Sequence, residues 1–263
     1  MKTAVIGAGN MGEALIAGLI AYGETPANIA VCEKRIERAA ELTSRYGIVI
    51  AEIAEAVRDA DTVLLVVKPQ DMAAVLAEVG SAISSNAVVV SFAAGKKISF
   101  ISENLGTVNP VIRVMPNTAT MVGAGMAAIS VGAGVTTSQR EFVSGFLAKS
   151  GQVVEVTEDL QDAVTATSGS GPAYFFAFVE AMVAGAQELG LSAEVATQLT
   201  VQTLVGAAKL LVESGKSATE LRENVTSPNG TTAAALNSFQ QGELAKLVAK
   251  SMKAARDRSI ELA

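Results

Sequence analysis

The 263-residue sequence predicts an α/β fold in two parts: a doubly wound, mostly parallel sheet over residues 1–158, then an all-helical region over residues 159–263. Three observations predict it. Short β-rich runs alternate with helix-period stretches through the first part. The runs are apolar almost throughout, as in strands buried on both faces. After about Glu158 the strand signals stop, and helices punctuated by Gly, Pro and Ser take over.

Taken in order, the expected strands are residues 3–6, 29–32, 48–50, 62–67, 87–92 and 111–115, with helices over 11–21, 36–46, 53–58 and 72–79 between them. Two further strands, 126–131 and 153–156, flank a helix over 138–149. In the second part, residues 173–189, 193–214, 231–240 and 245–262 place apolar residues at helical spacing. The second of these is apolar around much of its circumference, which predicts a face packed on a partner chain.

Composition narrows the function. Half the residues are hydrophobic and 17% are charged, below the usual value of roughly 25%, which predicts extensive burial, including burial between subunits. A net charge of −6 and 4% aromatic residues leave neither a basic stripe nor a stacking platform for nucleic acid. Histidine is absent and Cys32 is the only cysteine, which removes an imidazole acid or base, a His-Cys metal site and an internal disulfide. Such thiol-poor chemistry fits a reducing cytosol. No basic, hydrophobic leader opens the sequence, and the most apolar long stretch, 173–189, carries Glu180, Gln187 and Glu188. That stretch is expected to be a buried helix and not a membrane span.

The first strand runs into Gly7-Ala8-Gly9-Asn10-Met11-Gly12 and then a helical pattern. This is GxGxxG in the strand-to-helix context that a Rossmann dinucleotide site requires. Gly7 permits the tight turn, Gly9 lets backbone approach a pyrophosphate, and Gly12 lets the helix sit close on the strand. The helix amides then face the phosphates, so Asn10 and Met11 join the glycines as expected cofactor contacts. At the end of the second strand stand Glu33, Lys34 and Arg35. Glu33 favours the ribose hydroxyls of NAD, whereas Lys34 and Arg35 suit the extra phosphate of NADP. The segments Val66-Val67-Lys68-Pro69-Gln70 and Ser91-Phe92-Ala93-Ala94-Gly95 close later strands at the same sheet edge, where ligands bind in open α/β sheets.

Two segments of the helical part concentrate small residues and prolines. Residues 167–174 are expected to start a helix, with Pro172 in its first turn and Ser170 or Gly171 as cap. Residues 224–232 end one helix and begin another, so that the amides of Gly230, Thr231 and Thr232 open a helix N-terminus suited to a carboxylate. Ser168, Ser170 and Tyr174 are expected in capping and packing, and Met115, Met121 and Met126 as core filler.

In order along the chain, GAGNMG, VKPQ, SFAAG, RVMPNTA, SGSGPAYF and VTSPNGTT resemble the successive motifs of the pyrroline-5-carboxylate reductase family. The resemblance implies NAD(P)H-dependent reduction of 1-pyrroline-5-carboxylate to L-proline, the last step of proline biosynthesis. It also implies a homodimer built through the helical part and often assembled further into a decamer; the expected cofactor is NADP, with NADPH preferred and NADH possible, and the expected location is cytoplasmic. Ser227, Gly230 and Thr231 would bind the substrate carboxylate, and Thr232 would face the ring nitrogen as hydrogen-bond partner or proton donor. Val67, Lys68, Pro69, Ala93 and Ala94 would line the nicotinamide side. Asn229 stands where the family usually has Gly, a position that asparagine tolerates in left-handed backbone, and Ala119 replaces a common proline. A β-hydroxyacid dehydrogenase would carry a lysine on the helix over 173–189, which has none. Another cyclic-imine reductase and a dinucleotide sensor without turnover are the remaining alternatives.

Overall fold

The computed structural model of the chain describes residues 1–262. It begins β1 (Thr3–Ile6), α1 (Asn10–Tyr22), β2 (Ile29–Cys32), α2 (Ile36–Tyr46), β3 (Val49–Ile50), α3 (Ile53–Arg58), β4 (Thr62–Leu65), α4 (Met72–Gly80), β5 (Val88–Ser91) and α5 (Ile98–Leu105). It continues β6 (Val111–Met115), β7 (Gly125–Val131), α6 (Thr137–Leu147) and β8 (Gly151–Glu155). The eight strands form one sheet in the order β3-β2-β1-β4-β5-β6-β7-β8. All neighbours are parallel except β6 and β7, which pair antiparallel with Arg113 opposite Ser130.

Alternation within the apolar strands explains the two layers. Val5, Val31, Leu64, Val88 and Val90 face α1, α2 and α6, packing on Leu15, Leu19, Leu42 and Phe146. Their neighbours Ala4, Ile6, Val63, Leu65 and Val89 face α3, α4 and α5, packing on Val57, Leu76 and Ile101. A strand residue on either face removes apolar area from water, so both faces must be apolar. The strand order reverses direction at β1 and β4, which places the turn after β1 at the point where an open sheet leaves a crevice.

Two strands are shorter than their apolar runs. Val66 and Val67 continue the run of β4 but leave the ladder, and Phe92 lies beyond β5. These side chains stay apolar because they line a crevice described below. The helix α5 is absent from the sequence expectations; its short apolar face buries Ile101 and Leu105.

The segment expected to start a helix is already helical. After α7 (Gln161–Val164) the chain makes a π turn over Thr165–Gly169 and continues into α8 (Gly171–Glu188). The Ser170 amide donates to the Thr165 carbonyl at 2.8 Å, and the Thr165 and Thr167 hydroxyls donate back to the carbonyls of Gln161 and Ala163. α8 still begins where expected, at Gly171 with Ser170 before it and Pro172 in its first turn, but the π turn runs directly into that start.

The chain then forms α9 (Ala193–Glu213), α10 (Ala218–Asn224), α11 (Thr231–Gln241) and α12 (Leu244–Glu261). Two compact units result: Met1–Pro172 together with the end of α12 from Ala255, and Ala173–Ala254. Within the first unit Arg113 of β6 is buried, with Glu158 at 3.5 Å and Asp162 at 4.0 Å. Asp162 also accepts the Ser259 hydroxyl of α12 at 2.7 Å, and Gln161 donates to Ser130 at 2.8 Å. A buried guanidinium left without these carboxylates would be strongly destabilising.

Within the second unit, Phe178 and Phe239 place their ring centroids 6.3 Å apart, but much apolar surface is left bare. The expectation of a buried helix over 173–189 is corrected: Phe175 and Phe176 of α8 are 59% and 63% exposed. Leu199, Val205 and Val212 of α9 are exposed as well. Apolar side chains surround these helices on more sides than the chain's own helices cover. Among the described residues α9 alone is long and apolar enough to cross a membrane, with mean hydropathy 1.3.

Candidate active site

Between β1 and α1 geometry imposes two of the three glycines, Gly7 and Gly12. Gly7 has φ +96°, and a Cβ there would lie 2.9 Å from the Val66 carbonyl oxygen. A Cβ on Gly12 would lie 2.3 Å from the Gly7 oxygen, so the helix can approach the strand only with glycine. At Gly9 a Cβ would meet nothing within 4 Å, so this face of the turn is open. The Glu13 amide donates to the Gly9 carbonyl at 2.9 Å. The amides of Asn10, Met11 and Gly12, inside that first turn, have no acceptor among the described residues. Their direction and the helix dipole suit a phosphate.

Side chains from α2 hold this turn. Arg38 donates through Nε to the Ala8 carbonyl at 3.2 Å and through its guanidinium to Glu13 and Glu41. Glu13 also accepts from Arg45 and from Tyr46 Oη, the latter at 2.9 Å. Burial pushes the Glu13 carboxyl up, but its bonds from Arg38, Tyr46 and Arg45 outweigh that and hold it below the ordinary value of 4.5. Glu13 and Arg38 were not anticipated, because their contact spans 25 positions and surface-helix charges are ordinarily solvated.

The mixed signal at the end of β2 resolves into a pair. Arg35 donates to both oxygens of Glu33 at 3.1 Å, and its backbone amide donates at 3.0 Å. The Arg35 guanidinium holds the Glu33 carboxyl below its usual range. The acid expected to receive ribose hydroxyls thus already has a cationic partner, whereas Lys34 is exposed. Next to them the Cys32 thiol is pushed up to about 12, chiefly by burial and further by Glu52, Glu78 and Glu55, which makes it a poor nucleophile.

A crevice of about 290 Å³ opens at the carboxyl ends of the central strands. Met11, Val66, Val67 and Phe92 form one part of its lining; Met115 to Thr118 and Gly169 form the rest. Of the expected residues, Met11 and Val67 reach it. Ala93 is buried, and Ala94, Lys68 and Pro69 likewise do not contribute to the lining. Met115, expected as core filler, lines the crevice because β6 ends there. Met121 is 55% exposed; it follows the strand into a turn, where helical or strand periodicity no longer fixes burial.

The second segment, in the other unit, is a turn of a different kind. The Gly230 amide donates to the Ser227 carbonyl at 3.0 Å. Pro228 and Asn229 occupy the two central positions, and Asn229 has φ +59°, so the turn is of type II. The expectation that the Gly230 amide is free is therefore corrected: it closes the turn. The amides of Thr231, Thr232 and Ala233 are the ones without an acceptor among the described residues, since the first helical bond runs from Ala234 to the Gly230 carbonyl at 3.1 Å. Ser227 and Thr231 are exposed and Thr232 is half-buried. No acid occupies the first turn of α11, which leaves the local field positive.

Comparison with known proteins places this arrangement. Residues 158–262 match the family described as pyrroline-5-carboxylate reductase dimerisation, and residues 2–95 match that described as NADP oxidoreductase, coenzyme F420-dependent. The chain is 43% identical to the pyrroline-5-carboxylate reductase of Corynebacterium melassecola, across 98% of this chain and 97% of that one. The structure of a pyrroline-5-carboxylate reductase from Coxiella burnetii superposes with a TM-score of 0.93 at 34% identity, over 100% of this chain and 98% of that one. Plasmodium falciparum pyrroline carboxylate reductase with NADP bound gives 0.87 at 27% identity, over 100% and 98%. With both halves matched and identity running the full length, the chain belongs to the pyrroline-5-carboxylate reductase family, whose dimerisation region it carries in its helical half.

Proposed function

We propose that this protein reduces 1-pyrroline-5-carboxylate to L-proline, with its substrate carboxylate received at the N-terminus of α11. The observation that carries the reading is the type II turn at Ser227–Gly230, which leaves the next three amides free at a positive helix end. Thr231 and Thr232 donate backbone hydrogen bonds to the carboxylate, the Ser227 hydroxyl adds a third donor, and Gly230 gives the anion close access. Thr232 Oγ1 faces the ring nitrogen and orients the C=N bond.

A bound NADPH supplies the hydride that the imine carbon accepts. For the cofactor the chain offers the free amides of Asn10, Met11 and Gly12, the open side of Gly9, and the Lys34 and Arg35 cations toward a ribose phosphate. These cations, and the engagement of Glu33 by Arg35, support NADPH over NADH. No strong acid is needed, because a protonated iminium arrives from water; this suits a chain without histidine. Position and field then supply the remaining advantage.

The functional division is placed at 158/159, soon after β8 ends at Glu155, although the compact units divide later, after Pro172. Exposed Phe175, Phe176, Leu199 and Val212 support a homodimer through the helical half, assembled further into a decamer. The acidic balance and dispersed aromatics support an enzyme without nucleic-acid partners, and the single cysteine suits a reducing cytoplasm.

Steady-state kinetics with NADPH and NADH, each with and without proline, test the reading. Turnover with NADPH as the better cofactor is expected, with proline competing against the imine. Arg35→Ala is expected to raise the NADPH KM about tenfold, the loss of one charge-assisted contact, and to leave the NADH KM nearly unchanged. Tight cofactor binding with no oxidation on adding the imine would defeat it.

A further inference from the structure

Pro172 creates a vacancy that Asn117 fills. In a continuous helix the amide of residue 172 would bond the Ser168 carbonyl, but proline has no N–H to give. The Asn117 Nδ2 donates to that carbonyl at 3.3 Å and to the Ser168 hydroxyl at 3.4 Å. Its Oδ1 accepts the Met126 amide at 3.1 Å. One side chain thereby fastens β7 and the turn after β6 to the π turn at Thr165–Gly169. That π turn brings Gly169 against Met115, where a Cβ would fall 2.4 Å from Met115 Cε. Met115, Asn117 and Gly169 all line the 290 Å³ crevice. Single π turns interrupting helices recur at functional sites, and this one forms part of the crevice wall.

We propose that Asn117 is a positioning residue for hydride transfer: it clamps the π turn so that Met115 and Gly169 hold the crevice at the width of a flat ring. The proposal rests on the reading of this crevice as the nicotinamide site. Asn117 acts through Ser168 and Met115, so its effect falls on the geometry of transfer more than on cofactor retention.

The test compares Asn117→Ala, Asn117→Asp and Gly169→Ala in the full chain. Asn117→Asp keeps an acceptor for the Met126 amide but replaces the donor to Ser168 with a negative charge, whereas Asn117→Ala removes both bonds without adding charge, so a change shared by the two reports the lost donor. Expected for both Asn117 variants is a kcat lower by roughly tenfold to a hundredfold, as for small misplacements of reacting groups. The cofactor KM should move less than about threefold. The deuterium isotope effect on kcat, measured with cofactor labelled at the transferred position, should rise as hydride transfer becomes limiting. Gly169→Ala should give the same pattern at smaller size, because the tip of Met115 can shift. A lowered melting temperature with unchanged kcat and isotope effect would overturn the proposal by reducing Asn117 to a fastener. A raised cofactor KM with kcat intact would overturn it by making Asn117 a direct ligand. Val67→Trp fills the crevice; turnover surviving that change would instead remove the nicotinamide reading on which the proposal rests.

Discussion

Both glycine-bearing segments of this chain open a helix with unpaired amides, yet they are built in opposite ways. The turn after β1 is boxed in by its surroundings: Gly7 abuts Val66, Gly12 abuts Gly7, and Arg38 grips the Ala8 carbonyl. The turn before α11 is made by its own residues, with Pro228 and Asn229 setting the bend and Ser227 accepting the closing bond. Around Gly230 the three atoms nearest a Cβ would all belong to Ser227, the first being its carbonyl oxygen at 3.1 Å. Packing dictates residue identity in the first segment, whereas turn chemistry dictates it in the second and leaves room for exchange. That difference explains why Asn can occupy position 229 without loss of the bend.

The comparison breaks most visibly at Gly12. Gly12→Ala forces a Cβ onto backbone and is expected to destabilise by roughly 1–3 kcal/mol and to abolish cofactor binding, read by denaturant unfolding and fluorescence titration. Gly230→Ala, at φ −80°, should cost less than about 1 kcal/mol; equal penalties at the two positions would erase the distinction. Thr232→Ala sharpens it functionally. Turnover should fall on the order of a hundredfold, as on removing one preorganised donor, with cofactor affinity within about twofold of the parent. Equal losses in both would contradict the assigned role.

A smaller effect is expected from acid. Glu13 has its folded-state pKa below 4.5, so its stabilisation is complete above that value and is lost as pH falls through the depressed one. Glu13→Gln should therefore lower stability near neutrality, with the gap to the parent closing at acid pH. A gap constant with pH would remove Glu13 from the support of the first turn. Asn229→Gly should matter least: φ +59° suits both residues, and the change in stability should stay within about 0.5 kcal/mol.

The legible parts of the molecule were those with a local cause. Strands such as Thr3–Ile6 announce burial on both faces, GxGxxG needs only its flanking strand and helix, and Pro228-Asn229-Gly230 is turn chemistry within a few residues. Contacts made across the chain left no such mark. Arg113 meets Glu158 over 45 positions, and β7 runs antiparallel although its side-chain alternation would be the same in either direction. The π turn was hidden for a related reason: Ser-Gly-Ser-Gly-Pro has the composition of a helix start, and the Ser168 carbonyl facing Pro172 is met by Asn117, brought in from the turn after β6. The closing bond of Gly230 shows that even a correctly placed turn can spend an amide that its composition suggests is free.

The most direct test follows the hydrogen itself. Cofactor carrying deuterium at the transferred position is mixed with the protein and 1-pyrroline-5-carboxylate, and the product is examined by nuclear magnetic resonance. One deuterium on the former imine carbon of proline is the expected result. Unlabelled proline, or label at another carbon, would contradict direct hydride transfer to a substrate held at Thr231 and Thr232.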